Sequence, residues 1–333
     1  MISRLMMVVY APGMQSDEQG VLATLAYYGA LRWPLTLLEI AERRVDGDGA
    51  PHDLGRLMAT LERFVERGYV RTQAGLYVIG DAPRDIREHR VSRQATSADK
   101  LHAMVRSTRW LHVVPYVRTL AASGSLAMSA SSPLSDWDVF AIVQAGRLYT
   151  ARAGLLAVAW LLGRLRTKSM RTAPDRFCFN HLITTEALAL RHRSIFTAHA
   201  LAWMVPIYDP WQYAARLRQA NHWVHEYTAT AMGSSFIRRD VVASRALRGV
   251  RRLAELVLNS PVGDLLEYTL RRWMQARIAR NPLTTALGGR VISDTRELEF
   301  HPRSFEVTAL ARYNATLRRL GLEQFVAHDS GLQ

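Results

Sequence analysis

Read from its amino terminus, the chain first shows apolar residues at helical spacing. EQGVLATLAYYGALR, following Asp17 as an N-cap, predicts a helix. Pro34 is placed to open a second short helix, LTLLEIAERR. After the polar loop VDGDGAP a third follows in HDLGRLMATLERFVERG, with Leu54, Leu57, Leu61, Phe64 and Val65 on one face and Gly68 as its stop. The period then changes. YVRTQAGLYVIG alternates as two strands turning at Gln73–Gly75. The charged stretch DAPRDIREHRVSRQ reads as a linker into a surface helix that continues through SADKLHAMVRSTRWLHVVPYV. The longest apolar run, Ala153–Gly163, reads as a buried helix. From 190 to about 288 the pattern is almost wholly helical, and the core is expected to hold Trp203, Trp211, Trp223 and Trp273 with Tyr208, Tyr213, Tyr227 and Tyr268. GGR at 288–290 reads as a turn. The His-Pro-Arg of 301–303 breaks the chain before a last helix that stops at Gly321.

One segment departs from these patterns, VRTLAASGSLAMSASSPLSDWDVFAIV at 117–143. An apolar run ends in Gly124-Ser125, a ten-residue spacer rich in Ser and Ala follows, and two aspartates flank one Trp before a β-rich run. Strand side chains alternate with period two, so Asp136, Asp138, Phe140 and Ile142 share one face, and Val139, Ala141 and Val143 the other. Two carboxylates roughly 7 Å apart on one face repel unless a cation sits between them. Mg²⁺, which takes one or two carboxylates together with phosphate oxygens, is the natural candidate. Gly124 allows close backbone approach to a phosphate, and Ser125 adds a hydroxyl donor.

Composition narrows the classes. The 333 residues are 49% hydrophobic and 22% charged, enough for two or three globular domains. No apolar run approaches the roughly 18 residues of a membrane span, and the amino terminus lacks a signal-peptide pattern. A single cysteine, Cys178, excludes an internal disulfide and fits a reducing compartment, so the cytoplasm is expected. There are 43 basic residues against 29 acidic, a net charge of +14. That balance favours a polyanionic partner such as DNA, RNA or nucleotide phosphate. A generally arginine-rich composition is the plainer explanation.

Two resemblances follow. Three helices and a hairpin ending in ERGYVRTQAGLYVIGD resemble a winged helix-turn-helix module, which implies a DNA-binding helix around His52–Arg67 and a wing on phosphate. That helix is not clearly basic, since Asp53, Glu62 and Glu66 stand beside Arg56, Arg63 and Arg67, and the alternative is a module that packs on its own chain or on a partner. GSLAMSASSPLSDWDVFAIV resembles the signature of the DNA polymerase β-like nucleotidyltransferase superfamily: Gly-Ser, a spacer, then Asp-x-Asp. The likeness extends through FCFNHLITTEALAL, VGDLLEYTLRRWMQARI and ELEFHP, over roughly 100–325. It implies that Asp136 and Asp138 hold Mg²⁺, that Gly124 and Ser125 hold a nucleoside triphosphate, and that a third carboxylate on a neighbouring strand completes the site.

That third acid is not evident. The expected strand, RFCFNHLIT, has Asn180 or His181 where one should stand, and Asp175 and Glu186 only flank it. Asn180 replaces the acid, a flanking acid serves, or the domain binds nucleotide without transferring it. The basic run with Arg164, Arg166, Lys168 and Arg171 could meet triphosphate, Lys168 as a point charge. Its plainer reading is a solvated loop. His222 and His225 lack a third ligand, and neither HExxH nor GxSxG occurs. The expectation is an α/β (α+β) protein in three parts: a winged helix-turn-helix at 1–82, a small mixed-sheet nucleotidyltransferase core at 83–190, and a mostly helical domain at 191–333. Its function would be transfer of a nucleoside monophosphate to a hydroxyl acceptor. The alternative is a nucleotide-sensing DNA-binding regulator with a degenerate transferase domain.

Overall fold

The computed structural model describes residues 14–45, 53–80, 83–167, 170–229, 244–285, 289–301 and 304–327. Helices and two sheets share these residues. The first sheet belongs to a small amino-terminal unit of α1 (Ser16–Ala30), β1 (Leu35–Thr36), α2 (Leu37–Glu42), α3 (Leu54–Glu66), β2 (Arg71–Gln73) and β3 (Leu76–Val78), with antiparallel order β1-β3-β2. Helix α2 starts later than Pro34 implied. Leu35 and Thr36 first pair with Tyr77 and Leu76, and Thr36 then caps α2, accepting from the Glu39 amide at 3.2 Å while the Glu39 carboxylate accepts from the Thr36 amide at 2.9 Å. On α3, Leu57, Leu61 and Phe64 are buried as expected. Leu54, in its first turn, is exposed instead.

Helix α4 (Ile86–Leu111) begins inside the charged stretch read as a linker, with Asp85 accepting from the Glu88 amide at 2.8 Å. It leads to the second sheet, formed by β4 (Val117–Ala122), β5 (Trp137–Val143), β6 (Phe177–Thr184), β7 (Val205–Tyr208), β8 (Arg290–Ser293) and β9 (Glu297–His301). Its order is β7-β4-β5-β6-β9-β8, in which only β5 and β6 run parallel. The parallel pair needs a crossover, and α6 (Leu148–Leu161) supplies it.

Both faces of this sheet are covered, which is why β4 and β5 read as near-continuous apolar runs. On one face Trp137, Val139, Ala141 and Val143 join Met104 and Leu111 of α4, and Leu148 and Leu155 of α6. On the other, Phe140, Ile142 and Ile183 join Ala198 and Leu201 of α7 (Ile195–Trp203), and Leu217 of α8 (Tyr213–Ala220). The third core unites the two ends of the chain. Leu22, Tyr27, Tyr28 and Phe64 pack with Leu310, Tyr313 and Leu317 of α11 (Phe305–Leu320).

Three helical expectations are corrected. β7 is a four-residue strand inside the segment read as almost wholly helical, held by its pairing with β4 rather than by local pattern. The run Ala153–Gly163 buries Leu155 and Ala159 but exposes Trp160 and Leu161, because only one side of α6 meets the sheet. Trp223 and Tyr208 are core residues as expected, whereas Trp273 and Tyr268 are exposed on α10 (Pro261–Ala279), on the side away from buried Met274. No helix among the described residues is long and apolar enough to cross a membrane.

Candidate metal centre

The chain leaves β4 through Ser123, whose amide donates to the Asp138 carbonyl at 3.0 Å. Gly124 follows with φ +60°, and a Cβ at this position would lie 2.5 Å from Asp138 Oδ2. Glycine is required twice over, by the left-handed backbone and by the carboxylate against it. Gly124–Ala127 then form one helical turn, α5, closed by Met128 N to Gly124 O at 3.2 Å and Ala130 N to Ser125 O at 2.8 Å. Gly124 is exposed, and Ser125 Oγ lies 3.4 Å from Ser131 Oγ. The spacer is pinned at Ser131 by Ser97, at 2.9 Å, and at Ser135, whose carbonyl accepts from Lys100 at 2.9 Å. It delivers Asp136 to the start of β5.

Asp136, Asp138 and Cys178 present ligand atoms within 4.8 Å of one another. Cys178 stands opposite Asp138 on the parallel strand β6. Between the pairs Asp138–Cys178 and Phe140–His181 the register shifts, with one extra residue on β6. Asn180 lies in this bulge and donates from Nδ2 to Asp138 Oδ1 at 2.8 Å. Arg166 pairs with Asp136 and reaches Cys178 Sγ at 3.7 Å. Asp138 keeps part of its surface open to solvent, yet burial, and then the like charge of Asp136, pushes its carboxyl up to about 7. Arg166 and the Asn180 hydrogen bond oppose that rise. Burial, with the two carboxylates, also pushes the Cys178 thiol up, so it is held protonated.

The structure therefore brings Gly124, Ser125, Asp136, Asp138 and Asn180 into one site. Lys168 lies outside the described residues. Arg166 is exposed in its loop, as the solvated reading expects, and it is also the counter-charge of Asp136. Its neighbour Arg164 stacks over Trp137 at 5.1 Å, while Arg171 is exposed. The flanking acids do not fill the missing place. Asp175 is held by Lys100 at 2.9 Å, and Glu186 is exposed beyond the end of β6.

A second polar group escaped the sequence reading. His181 Nε2 lies 3.1 Å from Glu297, and His181 stands opposite Glu299 on β9. Arg290 grips Glu299 through two bonds of 2.8 and 2.7 Å and reaches Glu306 at 2.9 Å. The alternation in ELEFH was the available signal, since it sets Glu297 and Glu299 on one strand face. With Arg290 closing it, this group is a buried ion-pair network.

Chemically, Asp136 and Asp138 form a pair of hard oxygen donors suited to a divalent cation. The exposed Gly124-Ser125 turn beside them offers backbone amides and a hydroxyl to an anion. Compared with known proteins, the chain matches no family model, no curated protein and no solved structure.

Proposed function

We propose that the protein is a metal-dependent nucleotidyltransferase of the DNA polymerase β-like kind, which moves a nucleoside monophosphate from a nucleoside triphosphate to a hydroxyl acceptor. The observation that carries this reading is the Gly124 turn folded directly against Asp138, which joins an anion-accepting backbone to a carboxylate pair. The donor set fits a divalent cation, and Asp136 and Asp138 would hold Mg²⁺. When bound, Mg²⁺ supplies charge neutralisation for the triphosphate and for the leaving pyrophosphate. The chain's own residues do the positioning. The Gly124-Ser125 turn binds phosphate oxygens, Asn180 orients Asp138, and Arg166 balances Asp136. Meeting DNA or RNA would fall to the winged-helix-like amino-terminal unit, whose α3 surface is of mixed charge, with Arg56 paired to Asp53 and Glu62 and Glu66 exposed beside Arg67.

A second reading has its own observation. Strand β6 offers Cys178 and Asn180 to the site and no carboxylate to accept the acceptor's proton. This favours a nucleotide-sensing, DNA-binding regulator that binds without turnover.

Label transfer and pyrophosphate release from labelled nucleoside triphosphates, with and without Mg²⁺, test the proposal. Turnover lost in Asp136→Asn/Asp138→Asn supports the transferase. Metal-dependent binding without turnover, lost in the same variant, supports the regulator. Absence of nucleotide binding in the unmodified protein defeats both.

A further inference from the structure

Helices α9 (Arg245–Leu258) and α10 are successive, linked only by Asn259 and Ser260, and they lie close at a corner where a Cβ on Gly263 would meet the Leu258 carbonyl. Each turns one side to the protein. On α9 that side carries Arg251, bonded to the Tyr208 hydroxyl, and Glu255, which accepts from the Tyr116 amide at 2.8 Å. On α10 it carries Gly263, Met274 and Glu267, the last holding the amides of Tyr149 and Thr150 at 3.0 and 2.7 Å. The outer sides carry exposed charges such as Arg248, Arg252, Arg272 and Arg277. Among these charges, however, large apolar residues stand out to solvent: Leu253 is 63% exposed, Val262 69%, Leu265 63% and Trp273 57%.

The spacing of these residues is informative. On α10 the outward positions Val262, Leu266, Thr269, Trp273 and Ala276 recur at intervals of four, three, four and three. On α9, Ala246, Val250, Leu253 and Val257 recur at four, three and four. The α10 intervals average 3.5 residues and the α9 intervals about 3.7, so each helix keeps one continuous apolar stripe of the kind that packs against another helix. Nine large apolar side chains are exposed on the two helices. They offer on the order of 900 Å² at roughly 100 Å² each, the area each partner gives to a standard stable interface. A monomer rarely exposes so much in one place.

The α10 seam is also complementary to itself. If two copies align antiparallel about a two-fold axis near Arg271, Leu266 of each meets Ala276 of the other, and Trp273 meets Thr269. Large faces small in both layers, which is what an isologous interface requires. We propose that the outer face of α9 and α10 is the interface of a homodimer, in which α10 pairs antiparallel with α10 of a second copy.

Sedimentation of the full chain tests this. A species of twice the 37.6 kDa chain mass is expected from about 1 to about 50 µM, concentrations at which a stable interface remains associated. Leu266→Arg/Trp273→Arg should weaken association by at least about 100-fold with an unchanged circular dichroism melting curve, since both side chains are exposed in one copy. In a Cys178→Ser background, Leu266→Cys/Ala276→Cys should form an interchain disulfide on oxidation. A monomer throughout the range, or a dimer that survives the double arginine variant, overturns the proposal. A dimer without the disulfide overturns the antiparallel α10 pairing. A monomer that co-sediments with phosphatidylserine vesicles overturns it in favour of a lipid surface.

Discussion

Asn180 donates a 2.8 Å hydrogen bond to Asp138 from the bulge of the adjacent strand. An aspartate at this position would bring a third carboxylate to Asp136 and Asp138. Asn180→Asp should raise divalent-cation affinity by about tenfold, or roughly 1.4 kcal/mol. Without cation it should destabilise the fold by about 1–3 kcal/mol, because Asp138 loses a donor and gains a like charge. Mn²⁺ titration followed by electron paramagnetic resonance, with urea unfolding alongside, measures both. Unchanged Mn²⁺ affinity would remove Asn180 from the site.

Gly124 tolerates no side chain. An alanine must adopt φ near +60° and push against Asp138 Oδ2. Gly124→Ala should cost about 1–3 kcal/mol of stability and displace the carboxylate, so that Mn²⁺ binding weakens too. Loss of stability with Mn²⁺ binding intact would separate the turn from the metal centre.

Arg166 and a divalent cation compete for Asp136. Arg166→Gln should therefore bind Mn²⁺ alone several-fold more tightly. Isothermal titration in the absence of nucleotide checks this. Equal or weaker binding would show that the guanidinium supports the cation site instead of opposing it.

Glu306 provides an acid-sensitive anchor between α11 and the Arg290–Glu299 pair. Burial alone would raise its carboxyl, but hydrogen bonds from His192 and Ser194 and the charges of His192 and Arg290 hold it down at about 2. A depressed acid stabilises the fold above its unfolded value, and the contribution disappears as pH falls through the window from about 4.5 to about 2. Glu306 should thus supply on the order of 3 kcal/mol at neutral pH. Glu306→Gln should lower the melting temperature at pH 7 and flatten its decline in acid. An identical acid limb in both proteins would contradict the assignment.

Leu317, fully buried on α11, packs into the core of the amino-terminal unit. Leu317→Ala should cost about 2–5 kcal/mol and make α1 more susceptible to proteolysis. Amide hydrogen exchange resolved by segment reads this directly. Protection unchanged in α1 but lost elsewhere would place α11 in a different cooperative unit.

The site was legible where its geometry is local. Gly124, Asp136 and Asp138 stand within one β-turn-β segment, and period-two alternation fixes their faces. Asn180 was flagged on sequence as a substitute acid, but its bulge could not be foreseen, since a register shift depends on the neighbouring strand. The pairing of the loop residue Arg166 could not be read because its partner lies 30 positions back. β7 was missed for a related reason: VPIY is too short to show alternation, and β4 alone makes it a strand. On α10 the helix was legible, but Trp273 and Tyr268 were read as core and are exposed, because helical spacing does not tell which side meets the protein.

The union of α1 and α11 in one core bears on synthesis. The unit containing α1 leaves the ribosome with an open apolar surface, and the helix that closes it is made nearly a whole chain later. At roughly 5–20 residues per second, that surface waits on the order of ten seconds or more for its cover. The first elements translated are thus among the last to reach their native packing.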